Sequence, residues 1–343
     1  MLSAGTFPAH ILQTGQKYCY SEQGAKIPCP GSGQDAELLI GTAWPEPRFS
    51  VRSGTVLDQL TGLVWSRDAN PGQFPCTWQQ AFDLVDRLNS KHFAGFNDWR
   101  LPNRRELRSL MDYQQKKPPL PAQHRFTNIF LYWYWTSTTA AIHPSYAWAV
   151  HLEGARMFYN KKTQEAMCWP VRGQGNGMLA ATGQKSCWDS TGTEITGQGS
   201  GQQDGELRCG VPWPEPRFRQ RNGLVQDQLT GLTWLEKPGE LPEKMKWQQA
   251  LDLVMELNSS QHLGRSDWHL PTINELESLV DAEYHSPALS SGHPFSGLRD
   301  GYWSSTTSYF ETDWAWVLYL DKGACGVGYK PDPSFSAWPV SSG

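Results

Sequence analysis

Six basic side chains, Arg100, Arg104, Arg105, Arg108, Lys116 and Lys117, fall within eighteen consecutive positions. Arg104 and Arg108 are one turn apart, so on a helix they share a face and can hold sulfate or carboxylate groups. A solubilising helix face is the plainer reading of the same run. A second set is aromatic: Tyr132, Trp133, Tyr146 and Tyr159, then Tyr309, Phe310, Trp314 and Tyr329. Flat faces with a few polar neighbours suit sugars or protein partners. Together these residues form the candidate ligand-binding set. Trp148 and Trp316, at matching places in two similar stretches, read more simply as core.

Catalytic and metal chemistry find less support. No nucleophile stands with a base, and no carboxylate pair lies in an apolar setting. His92 and His262 read as exposed helix-end histidines, and Asp98 and Asp267, each before a Trp, as acceptors of backbone hydrogen bonds. Asn97-Asp98 beside Trp99 has the residues of a calcium loop but precedes a helix instead of lying between late strands. Asp58 to Gly62 reads as a structural turn, not a metal loop. The expectation is no catalytic residue, no metal and no cofactor. Neither a nucleic-acid partner nor a membrane span is expected, since no apolar run approaches the ~20 residues a spanning helix needs. Met1 to Thr14 shows no basic start and no long apolar stretch, and reads as a mature or trimmed terminus without a signal peptide.

The elements that must position these residues occur twice. Gly95-Phe-Asn-Asp-Trp-Arg-Leu-Pro-Asn-Arg-Arg-Glu-Leu-Arg-Ser-Leu-Met-Asp112 is repeated 169 residues on, at Gly264 to Asp281, with Asp-Trp, Leu-Pro, Glu-Leu and Ser-Leu in register. Pro102 and Pro271 keep the preceding Leu out of the helical region, and Asn103 or Thr272 then caps a helix with Glu106 or Glu275 three residues on. Leu107, Leu110 and Met111 give that helix an apolar face. An earlier helix carries Trp78, Ala81, Phe82, Val85 and Leu88, matched by Trp247, Ala250, Leu251, Val254 and Leu257. Thr77 and Gln80 can form its capping box, whereas Lys246 at the matching place cannot supply an acceptor. Before it come Thr-Gly-Gln-Lys (14–17, 182–185), a turn-rich lead-in, Trp-Pro-Glu-Pro-Arg-Phe (44–49, 213–218) and a hairpin around Asp58 or Asp227. After it come a long Pro-containing loop and aromatic, β-branched strands. The order is α+β, in two domains, 1–175 and 176–343, each with two helices and a small antiparallel sheet.

The set of motifs, adding Asp-x-Leu-Thr-Gly-Leu-x-Trp, Tyr-Trp-Ser-Ser-Thr and Trp-Pro-Val-Arg, resembles a tandem pair of Lcl C-terminal-like domains, named for the C-terminal part of a bacterial collagen-like adhesin. The resemblance implies a C-type-lectin-like fold, related more distantly to formylglycine-generating enzymes. It also implies a secreted or surface setting and, for the adhesin, glycosaminoglycan binding. It brings no catalytic set, and the reactive cysteines of the oxidase-like relatives are not matched by Cys168 and Cys325. His269 replaces the Arg seen as Arg100, and Ser341 the Arg seen as Arg172.

Seven cysteines without CxxC or metal spacing point to disulfides and an oxidising compartment. Cys76 and Cys168 are both replaced in the second copy, by Met245 and Ala337, so the two are expected to be bonded; lectin-like domains commonly tie a helix to the last strand in this way. Cys19–Cys29 and Cys187–Cys209 would staple the lead-ins, leaving Cys325 as a buried thiol or a contact to another chain. Charge divides unevenly: residues 1–175 hold 18 Lys+Arg and 13 Asp+Glu (+5), residues 176–343 hold 12 and 21 (−9), giving the whole-chain −4. Drifted surfaces would produce this, and so would complementarity between repeats, within a chain or head to tail between chains. The functions expected, in order, are binding of a glycan or protein ligand by a secreted or surface protein, a structural subunit of an extracellular filament, and an oxidase of the formylglycine-generating kind.

Overall fold

The hairpin segments form small antiparallel sheets. In the first repeat Phe49–Arg52, Thr55–Asp58, Val64–Ser66 and the late strand Val171–Arg172 pair in that order. In the second, Phe218–Arg221, Leu224–Asp227 and Thr233–Leu235 join Val340–Ser341 and Trp268–His269. The computed structural model describes residues 7–195 and 201–342 of the chain. Asp58 builds its turn by accepting from the Leu60 amide at 3.1 Å and Thr61 Oγ1 at 2.9 Å, while Gly62 takes φ +71°. Arg48 of the Trp-Pro-Glu-Pro-Arg-Phe strip then closes on both Asp58 oxygens at 2.9 Å, and Arg217 on Asp227 at 3.0 and 2.8 Å. These buried bidentate pairs pin the strip to the hairpin.

The helices begin at their signals. Trp78–Ser90 and Trp247–Ser259 bury the expected five positions each. Thr77 and Gln80 form both halves of a capping box. An ammonium cannot accept a hydrogen bond, so in the second copy the half that remains is the Lys246 amide donating to Gln249 Oε1 at 2.9 Å. Arg104–Ser109 and Ile273–Leu279 start at complete capping boxes.

The late strands of the two repeats meet in a shared sheet. Trp133–Thr139, Tyr146–His151 and Met157–Lys161 of one repeat continue into Ala324–Tyr329, Trp314–Tyr319 and Gly301–Thr307 of the other, forming one six-stranded antiparallel sheet. The joint is Met157 opposite Cys325, equivalent positions in the two copies. The repeats are thus related by a local pseudo-twofold, and one buried core runs through both hairpin regions and the joint.

The lead-ins are exchanged across that axis. A one-turn helix at Asp35–Leu38 delivers Asp35 to the second repeat, where Oδ2 accepts from Thr306 Oγ1 at 2.6 Å as well as from its neighbour Thr14 at 2.8 Å. Asp204 reaches back to Thr138 of the first repeat at 2.6 Å and to Thr182 at 2.7 Å. Gln16 brackets Thr307 through its side-chain oxygen and nitrogen, as Gln184 brackets Thr139. A buried lysine receives each lead-in. Lys330 Nζ donates to the Ser21 carbonyl at 3.3 Å and lies 3.9 Å from the Trp247 ring centroid; Lys162 Nζ donates to the carbonyls of Trp188 and Asp189 and sits 4.0 Å over Trp78. Burial pulls both ammonium groups down to about 7. Short lead-ins with few apolar residues of their own gain order by crossing to a preformed sheet.

Burial also raises Asp35 and Asp204 from 3.8 to about 6, against the lowering effect of their Thr donors. A carboxyl raised on folding stabilises most below its unfolded value, and that contribution is lost as pH rises through about 6. The double variant Asp35→Asn, Asp204→Asn keeps the shape without the charge. By denaturant unfolding at pH 8 it should be more stable than the parent by on the order of 2–3 kcal/mol per site, and the gain should vanish toward pH 4. A difference between the two proteins that stays constant across that range would contradict the assignment.

Candidate functional site

The expected ligand-binding residues separate into four groups. Arg104 and Arg108 leave the surface, almost fully buried where the repeats meet, and Arg105 is half-buried beside them. Arg108 Nε donates to Glu277 Oε2 at 3.0 Å and Nη1 to the Ala155 carbonyl at 2.5 Å. Arg104 Nη2 donates to the Gly323 carbonyl and lies 3.7 Å from Glu277 Oε1. Their guanidiniums rest on aromatic faces, Arg104 4.2 Å from Trp148 and Arg108 5.3 Å from both Tyr113 and Trp316. Arg105 Nη2 donates to the carbonyls of Ser278 and Val280. A basic helix face taken alone has the pattern of a surface; here a second copy of the same helix packs on it.

Arg100 belongs to its own domain's frame. It is buried and grips Glu106 at 2.6 and 2.7 Å. His269 makes the matching contact to Glu275 at 2.8 Å; burial alone would lower that imidazole, but the Glu275 carboxylate beside it raises it. The second departure is also compensated. Arg172 holds Asp98 at 2.6 and 3.0 Å, whereas Asp267 is held by Arg265 at 3.0 Å and by Ser341 Oγ at 2.6 Å. The arginine has moved around an unchanged carboxylate, so this pair is structural in both copies. Asp98, which could also have been a calcium ligand, is engaged by Arg172.

Lys116 and Lys117 remain exposed and meet aromatics from the other repeat. Lys116 Nζ lies 5.6 Å from the Tyr309 ring centroid, and Lys117 Nζ 5.2 Å from that of Phe310. Glu153 pairs with Lys117 at 2.6 Å, and Lys117 holds the Glu153 carboxyl below its ordinary range. The crossing lead-in adds residues the sequence did not single out. Tyr20 packs 6.4 Å from Tyr309, Lys26 Nζ lies 3.3 Å over the Tyr18 ring, and the amides of Lys17 and Tyr18 donate to Gln114 Oε1. Lysines 17, 26, 116 and 117 therefore surround exposed Tyr18 and Phe310 on one seam. Nothing local marks Tyr18 or Lys26 as part of this patch, because the residues they join, from Gln114 to Phe310, lie far along the chain.

The remaining aromatics stay within their repeats. Tyr146 and Tyr159 stack edge to face at 5.7 Å with His143 beside them, and Trp314 packs 5.5 Å from Tyr329, its directly opposed partner on the neighbouring strand. Tyr132 and Trp133 flank His151, with Phe130, Leu131 and Tyr132 exposed at the loop tip. His92 is exposed, in the left-handed region after the first helix. A cleft of about 550 Å³, walled by Trp213, Phe218, Tyr284 and His293, opens beside the second strip and includes none of the expected ligand-binding residues.

One cysteine expectation stands and two need correction. Cys19–Cys29 is bonded, with Cα atoms 5.2 Å apart. Cys76 and Cys168 share an apolar cluster as thiols, both pushed up by burial, Cys76 to about 11. Their joint replacement by Met245 and Ala337 then exchanges one larger and one smaller side chain for two of middle size, which keeps the core filled without any bond. Cys187–Cys209 is not bonded either: Cys209 is a buried thiol at the place equivalent to Ile40, not Cys29. Cys325 is a buried thiol at the sheet joint.

The family model described as Lcl C-terminal domain matches this chain twice, over residues 54–172 and 223–341. No curated protein matches it. Both matched spans begin after the lead-ins, so the crossing segments lie outside them.

Removing Glu277 strands Arg108 and Arg104 in the seam without their shared carboxylate. Glu277→Ala should cost about 3–5 kcal/mol by denaturant unfolding. The exchanged pair Arg108→Glu, Glu277→Arg should recover part of that loss, with a coupling energy above about 1 kcal/mol in the double-mutant cycle. Additive losses would mean the pair is not coupled.

Proposed function

The chain belongs to the Lcl C-terminal domain family, and from that premise we propose that it is a non-enzymatic binding protein acting outside the cytoplasm, with acidic glycans as its ligand class. The observation that carries this is the seam patch, where Lys116 and Lys117 of one repeat meet Tyr309 and Phe310 of the other. Sugar rings stack on aromatic faces, and ammonium groups beside them recognise carboxylate or sulfate substituents. Lys17, Lys26 and Tyr18 extend the patch. The lectin-like reading of the fold belongs to the same proposal and is supported by the family and by the paired helices over antiparallel sheets. The Cys19–Cys29 bond supports an extracytoplasmic site. Among the described residues no helix is long and apolar enough to cross a membrane. Arginine–glutamate complementarity is met inside the chain, which leaves little drive for a head-to-tail filament through the same faces.

Heparin or another sulfated glycan is the first ligand to test, with immobilised chain and a salt series. The parent should bind more weakly as salt rises. Lys116→Ala, Lys117→Ala and Phe310→Ala combined should lower affinity at least tenfold, while Lys161→Ala, an exposed lysine elsewhere, should not. Equal binding by the triple variant would overturn the assignment to this patch, and binding of a protein partner alone would replace the ligand class.

A further inference from the structure

A small pocket of about 70 Å³ lies between the repeats, where residues 9–13 of the N-terminal segment and Leu179-Ala180 pass over the two short helices. Its polar wall includes Arg105, Arg108, Asn274 and Glu277. The charge around it is unbalanced. Arg104, Arg105 and Arg108 share one close carboxylate, Glu277, while nearby Arg217 is already paired with Asp227. Arg104 Nη1 and Arg108 Nη2 are buried without an acceptor, as Glu277 Oε1 is without a donor, and half-buried Arg105 spends only Nη2 on protein acceptors among the described residues.

We propose that this seam pocket binds a small oxyanion, of the size and chemistry of sulfate, phosphate or a carboxylate, with Arg105 as the principal contact. Buried guanidiniums in excess of carboxylates are costly, and an anion that neutralises them stabilises the assembled pair of repeats. The planar fork of Arg105 can meet two oxygens of one such group. The surrounding acids do not do this work: burial raises Asp281 toward its neutral form and Asp204 to about 6. Desolvation, with repulsion from Arg217 and Arg104, likewise lowers the half-buried Arg105 guanidinium against the raising effect of Glu277. The pocket is distinct from the lysine patch and far too small for a sugar chain, so either site can fail without the other.

The test uses the intact chain. Sodium sulfate, and sodium acetate in parallel, are titrated at constant ionic strength against sodium chloride, with calorimetry and the thermal midpoint as readouts. A saturable rise in midpoint with sulfate or acetate beyond chloride is expected. Arg105→Gln should weaken that binding at least tenfold, Arg105→Lys less, and Lys117→Gln should leave it unchanged. Identical sulfate, acetate and chloride curves for the parent overturn the proposal whether or not Arg105→Gln folds. A specific response lost in Lys117→Gln but kept in Arg105→Gln overturns it too, by placing the anion on the surface.

Discussion

Arg108 and Glu277 are the same position in two copies of one helix, 169 residues apart, and they touch. Residues that meet across a twofold axis normally meet themselves. Two arginines there would repel across a buried seam, and two glutamates would do the same. A tandem duplication removes the constraint, because each copy can carry a different residue. Arg108 against Glu277 is the local result, and the +5 and −9 halves of the chain are its diffuse counterpart. The complementarity seen in the sequence is thus realised within the chain at a place where symmetry would otherwise forbid close packing.

Everything else at the seam follows from that contact being allowed. Met157 can pair with Cys325, so two three-stranded late sheets become one six-stranded sheet without exposing their inner edges. Each lead-in, too poor in apolar residues to fold alone, can cross and dock through an aspartate, a glutamine and a buried lysine. The exchange is strictly reciprocal: Asp35 with Thr306 and Asp204 with Thr138, Gln16 with Thr307 and Gln184 with Thr139. A segment that docks some 290 positions away ties the integrity of the first repeat to the completion of the second. Each repeat's packing is therefore completed by the lead-in of the other, although their motifs are strictly local.

That contrast explains what could be read from the chain. Capping boxes at Asn103 and Thr272, the Asp58 turn and the Trp78 helix face are set by residues within four positions of each other, and all were legible. Arg104 and Arg108 were misplaced because a charged helix face has the same local pattern whether it meets water or a second helix carrying a glutamate. Cys76 and Cys168 were misjudged for a related reason. Joint loss of two residues reports that they share an environment, and a packed cluster satisfies that as well as a bond does. The family match extends over the parts that local signals define, 54–172 and 223–341, and leaves out the lead-ins, whose partners lie in the other copy.

Function at such a seam has a particular character. Lys116 and Tyr309, or Arg105 and Ser278, come from different repeats, so neither the patch nor the pocket exists in one repeat alone. The two copies have lost equivalence at the residues that matter most there: Arg105 corresponds to Asn274, and Arg108 to Glu277. A symmetric pair would present two equal half-sites facing each other across the axis. Divergence instead places Lys116 and Lys117 on one side and Tyr309 and Phe310 on the other, so the closed pair carries one such cluster where a symmetric pair would carry two.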